Sequence, residues 1–176
     1  MKRLLYITCI LLFAQCSKNL EFDSSEFKIL LPKSWKEIEL KGIDSKVFGA
    51  LTLKKDTVIF DYGLYSSSFK ETIKVFSKKQ IEKYDSLQMD TKDLKWSKSP
   101  EIDQNQAVFH KEFYYYELID GNFGKICLPK KDDKGLTGIS FRNINNSENH
   151  LTIMGRNLDS KERNELLKSF QTIKFK

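Results

Sequence analysis

The stretch from Gln106 to Leu128 constrains the fold more than any other part of the chain. Gln106 to Ile119 holds Val108, Phe109, Phe113, Tyr114, Tyr115, Tyr116, Leu118 and Ile119 with no Gly or Pro, a composition that suits a pleated strand. Asp120-Gly121-Asn122 follows as a tight-turn signal, and Phe123 to Leu128 returns as a second strand that stops at Pro129. A short turn between two strands pairs them antiparallel, because parallel pairing needs a long crossover. Phe109, Phe113, Tyr115 and Ile119 fall on one side of the first strand, and Val108, Tyr114, Tyr116 and Leu118 on the other. Two accounts of this strand stand open. It is a central strand buried on both faces, or it presents Tyr114 and Tyr116 as a surface for a sugar or peptide, since tyrosine joins an apolar ring to a polar tip.

The rest of the chain extends the same pattern. Phe27 to Leu31 reads as a strand ended by Pro32, and Val47 to Leu53 and Thr57 to Tyr65 as two more, joined by the polar turn Lys54-Lys55-Asp56. Gly63 marks a bulge or a close backbone approach. After Ser66-Ser67-Ser68, where a hydroxyl can cap a helix, Phe69, Ile73 and Phe76 and then Ile81, Tyr84 and Leu87 recur at helical spacing, which predicts a helix over Phe69 to Leu87. Leu94 to Lys98 reads as a short strand before Pro100, and Leu136 to Arg142 and His150 to Gly155 close a meander. Asp159 and Glu162 stand at the capping positions of a last helix that buries Leu166, Leu167 and Phe170, and Thr172 to Phe175 forms a short extended tail. The expected fold class is α+β, one antiparallel sheet of about six to seven strands covered by two main helices, in one domain over residues 26–176.

The N-terminus sets the address. Lys2 and Arg3 precede an apolar run from Leu4 to Ala14. That is shorter than the roughly 20 residues a membrane span needs and suited to a secretory signal. Leu12-Phe13-Ala14-Gln15-Cys16-Ser17 resembles a bacterial lipobox of the Bacteroidota type. The resemblance implies a signal peptide over residues 1–15, acyl chains on Cys16, a polar tether over residues 16–25, and attachment to the cell envelope. Ser17 directs it to the outer membrane by similarity to the known sorting rule. Phe27-x-Ile29-x-Leu31-Pro32-x-x-Trp35, together with a last strand, a capped helix and Ser169-Phe170 near the end, resembles PsbP-like domains. That likeness implies an antiparallel sheet under helices and an assembly or accessory role.

Composition narrows the function. Of three cysteines, Cys9 falls in the signal and Cys16 is the lipid site, so Cys127 is left alone, a small apolar residue on a strand. The net charge of +6 comes from basic residues interleaved with acids, without the clustered basic face that nucleic acid requires. Neither His110 nor His150 has a partner at metal-ligand spacing, and no catalytic or cofactor motif occurs, so no metal site, cofactor or catalytic residue is assigned. Acid pairs such as Glu37/Glu39 and Asp132/Asp133 read as solvated surface. The chain therefore reads as a membrane-anchored, non-catalytic binding or accessory lipoprotein. It would meet an envelope protein or glycan through the face near Tyr114 and Tyr116 or the loop Lys130 to Gly135. The alternative is an envelope hydrolase whose site is assembled from distant segments, marked by a cleft holding His110 or His150 beside a carboxylate.

Overall fold

The computed structural model describes residues 19–69, 73–131 and 134–176. Its main layer is a seven-stranded antiparallel sheet in the order β3-β4-β5-β11-β10-β9-β8. The strands are β3 (Lys36–Glu39), β4 (Lys46–Leu51), β5 (Thr57–Gly63), β8 (Glu112–Ile119), β9 (Asn122–Pro129), β10 (Leu136–Phe141) and β11 (His150–Arg156). A smaller sheet, β1 (Leu20–Asp23), β2 (Phe27–Leu31) and β12 (Lys174–Phe175), lies in the order β1-β2-β12. The helix α3 (Ser160–Phe170) packs on β2 and β10. The core lies between these layers, with Val58, Phe60, Ile139, Phe141, Leu151 and Ile153 from the large sheet against Phe27, Ile29, Leu31, Leu166 and Phe170.

Each element follows from its local chemistry. In β2, Phe27, Ile29 and Leu31 are buried while Lys28 and Leu30 face out, the alternation of a half-buried strand. Trp35 closes this end, buried, with its indole N–H donating to Glu165 Oε2 at 3.3 Å. Asp159 caps α3 by accepting from Glu162 N–H at 2.8 Å. The buried Glu162 carboxylate turns away and accepts Lys54 N–H at 3.1 Å, which ties the β4–β5 turn to the helix start. Asp120, at the β8–β9 turn, accepts from Phe175 N–H at 2.8 Å and from Lys174 Nζ at 2.9 Å, so the hairpin clasps the C-terminal strand.

Several expectations change. Leu20–Asp23, expected within the tether, is strand β1, and Phe22 on it is buried against Phe60. Lys36–Glu39 is an edge strand that its charged sequence had concealed. The expected helix over Phe69 to Leu87 shrinks to α1 (Lys78–Ser86), and part of it, residues 70–72, lies outside the described residues. Ser77 begins α1 with a reciprocal capping box to Gln80. Upstream, Val75–Phe76 (β6) instead pairs in parallel with Lys95–Trp96 (β7). The periodicity misled because Phe69 is buried on the large sheet and Phe76 in a satellite formed with β7, places that one helix face cannot reach together. No residue of α1 is buried, so it does not cover the sheet. Pro100 does not merely interrupt: it opens a further helix, α2 (Pro100–Asn105), at a position where its missing N–H costs nothing.

The long aromatic strand is also shorter and differently placed. Gln106 caps α2, Ala107 takes a left-handed conformation at φ 52°, and the strand starts only at Glu112. β8 is the edge of the sheet, so the central, doubly buried account does not hold. Phe113, Tyr115, Tyr116 and Leu118 are all exposed, and Ile119 alone is buried.

Candidate functional site

On the face of the large sheet away from the core, the chain leaving β5 crosses the strands. Asp61 Oδ2 accepts Ser67 N–H at 2.8 Å, Ser66 Oγ donates to Asp61 O at 2.7 Å, and Thr152 Oγ1 bonds Ser67 O. The crossing seats buried Phe69 over Gly138, where a β-carbon would lie 2.9 Å from the ring. Toward β8 beyond this crossing, Cys127 and Ser140 stay buried, whereas Tyr116, Leu118 and Phe123 are exposed.

Register then decides which side chains share the open surface. Tyr114 lies opposite Cys127, Tyr116 opposite Lys125, and Lys125 opposite Ser140. Lys125 Nζ sits 5.2 Å from the centre of the Tyr116 ring and 5.8 Å from that of Tyr114, within cation–π range of both. Tyr116, Phe123, Lys125, Ser140 and Arg142 line a groove of about 360 Å³. Tyr114 continues this strip in the other direction, 6.3 Å from Phe69 and, edge-on, 6.3 Å from His110.

His110 leads into a cleft of about 830 Å³, where the start of β8 meets the β9–β10 loop and the end of β11. Lys111, Lys130, Lys131, Lys134 and Arg156 line it with His110. Lys131 and Lys134 pair across an isolated bridge, which sets two like charges side by side. Lys130 Nζ donates to Ala107 O at 3.0 Å. Among the described residues none of these five cations makes an ion pair. Two lysines elsewhere do pair, Lys28 with Glu21 at 3.5 Å and Lys174 with Asp120 at 2.9 Å. Among the described residues the one carboxylate on the cleft wall is Glu112, which accepts Leu136 N–H at 3.2 Å.

The residues singled out from sequence thus separate. Tyr114 and Tyr116 do share a face, with Tyr116 exposed and Tyr114 half-buried. Cys16 lies outside the described residues, as do Asp132 and Asp133. His110 is in the loop before β8 and not on a strand, while His150 begins β11 and accepts Asn143 N–H on Nδ1 at 3.3 Å. Burial, then the Arg142 charge, hold the His150 imidazolium below its ordinary range. Glu37 and Glu39 are exposed on β3. Among the described residues no group of three or more His, Cys, Asp or Glu side chains is placed to hold a metal ion. Sequence reading missed the cleft because its cations are scattered from Lys111 to Arg156. The nearest signal was the loop Lys130 to Gly135, which supplies three of the five.

Cys127 is buried on β9, and its Sγ bonds Leu136 O at 3.6 Å. Burial, reinforced by the Glu112 charge, pushes its thiol up to about 12. In the native protein at pH 8, Cys127 therefore stays unmodified by iodoacetamide over hours and reacts within minutes once urea unfolds the chain. Mass spectrometry reads both states, and fast native labelling would show an open, activated thiol instead.

Asp56, Asp159 and Glu162 gather where α3 begins. Burial first, and then neighbouring Glu162, push the Asp56 carboxyl above its ordinary range, while the Lys54 ammonium holds Asp159 below it. The group joins the β4–β5 turn to the cap of α3, which accounts for its position. No helix among the described residues is long and apolar enough to cross a membrane. No family profile matches this chain, and comparison with curated proteins returns no match.

Proposed function

We propose that this chain is a lipid-anchored module of the bacterial cell envelope that binds a negatively charged partner and does not catalyse a reaction. The observation that carries the binding role is the convergence of Lys111, Lys130, Lys131, Lys134 and Arg156 on one cleft without an ion pair among the described residues. Like charges held together raise the energy of the empty site, and an anion relieves that repulsion. The cleft volume falls in the range of ligand pockets. The anchor rests on Lys2, Arg3, the apolar run and the lipobox-like segment ending at Cys16.

A PsbP-like identity for the fold belongs to the same proposal. Phe27, Ile29, Leu31 and Trp35, which carry the resemblance, are all buried, and α3 follows the last strand of the large sheet. The rival hydrolase reading has His110 and Glu112 on one cleft wall in its favour. It is the weaker reading, because Glu112 Oε1 is engaged by Leu136 N–H, and among the described residues no hydrogen bond joins it to the imidazole.

Intact mass and membrane partition in the native host test the anchor. The wild type is expected to begin at Cys16, to carry the mass of acyl chains, and to sediment almost wholly with membranes. Cys16→Ser is expected in the soluble fraction, since several buried chains contribute about 0.8 kcal/mol per methylene. A wild-type chain without acyl mass would overturn the lipoprotein reading.

A further inference from the structure

Two features that differ in chemistry run into each other on the open face. The basic cleft recognises charge, and the strip of Tyr114, Lys125 and Tyr116 offers ring faces beside a cation. His110 bridges them, its ring edge-on to Tyr114. The two lie along the strand direction of β8 and β9, with the Lys131–Lys134 bridge at one end, the groove at Tyr116, Phe123 and Arg142 at the other, and Tyr114 between them. We infer that together they bind an acidic glycan, with carboxylate or phosphate groups on the cleft cations and sugar rings laid on Tyr114 and Tyr116. The inference rests on the anion-binding reading above and names its ligand class.

The geometry favours a glycan over other polyanions. A lipid surface is flat and meets protruding charges, whereas these cations line a concavity. An acidic polypeptide satisfies the cations without using the exposed Tyr116 ring beside them. Single-stranded nucleic acid also combines stacking with charge, so it is the competitor that the experiment must separate. Tyrosine rings with polar tips suit the alternating apolar and hydroxyl surfaces of a sugar. The exposed Phe123, at 70 % accessible, and Tyr116, at 64 %, leave that surface open to a chain longer than the cleft.

Calorimetry on the full-length chain in mild detergent tests the inference with a galacturonic acid tetrasaccharide, its methyl ester, an oligothymidylate and a polyglutamate peptide. The acidic saccharide is expected to bind with an affinity that falls as salt rises, and the methyl ester about tenfold more weakly. The double variant Lys131→Glu/Lys134→Glu should lose about tenfold toward every anion, as expected for removing and reversing two charges near the ligand. Tyr116→Ala should lose about fivefold toward the saccharide alone and leave polyglutamate binding unchanged. Equal or tighter binding of oligothymidylate or polyglutamate, or a Tyr116→Ala variant that binds the saccharide like wild type, would overturn the glycan assignment while leaving the anion-binding reading intact. Failure of every anion to bind would overturn both. Circular dichroism of each variant establishes that a loss is not a loss of fold.

Discussion

Phe60→Ala is expected to lower the unfolding free energy by about 3–5 kcal/mol, the range for emptying a buried phenylalanine site. Phe60 is wholly inaccessible at the middle of β5. Its ring stacks on Phe22 at 5.1 Å and approaches Phe27 at 6.4 Å, so one side chain joins β5 to β1 and β2 of the smaller sheet. The neighbours cannot close the gap, because Phe22 is held by the β1–β2 ladder and also packs edge-on to Phe48 at 5.3 Å. Among the described residues Cys127 is the one cysteine and it is free, so no disulfide within them compensates for the loss. Urea unfolding followed by fluorescence checks this. A loss under about 1 kcal/mol would mean that the smaller sheet does not pack on β5 as described.

Gly138→Val is expected to cost about 3 kcal/mol for a different reason. A β-carbon at Gly138 would stand 2.5 Å from the Ile153 carbonyl oxygen and 2.9 Å from the Phe69 ring. The first atom is backbone of the neighbouring strand β11 and cannot turn aside, so the strands must part or Phe69 must leave its seat. Overpacking in a filled interior ordinarily costs about 1–3 kcal/mol, and a contact with backbone places this site at the upper end. Phe69 also borders the groove at Tyr116. The variant is thus expected to weaken saccharide binding as well as lower the urea midpoint, whereas Phe60→Ala, on the core face, should change stability while leaving binding by the folded fraction unaltered. Normal stability of Gly138→Val would show that the crossing segment does not lie over β10.

The two substitutions mark where local pattern suffices and where it fails. The alternation in Phe27–Leu31, the strands around Phe60, the hairpin at Asp120-Gly121 and the capped helix at Asp159 were all legible, because each is set by residues within a few positions of one another. The expected helix from Phe69 failed because a period of apolar residues records burial without recording against what. Phe69 is buried by Gly138, nearly seventy residues away, and Phe76 lies beside Tyr84 at 5.6 Å. The strand from Gln106 was overextended for a related reason. Its aromatics suit a strand, but Ala107 turns left-handed to release the chain from α2, and no composition signals that.

The sequence by itself determined an antiparallel sheet, a buried strand position for Cys127, and a terminal helix with its cap, since alternation, turn chemistry and capping act over short distances. It also carried Tyr114 and Tyr116 on one face, because side chains two apart on a strand point the same way. Only the tertiary structure decided that their strand is an edge, open where a central one would be closed. Only it gathered Lys111, Lys130, Lys131, Lys134 and Arg156. Charges spread through the sequence have no local signature, and strand order and register, which place them side by side, are settled by long-range pairing.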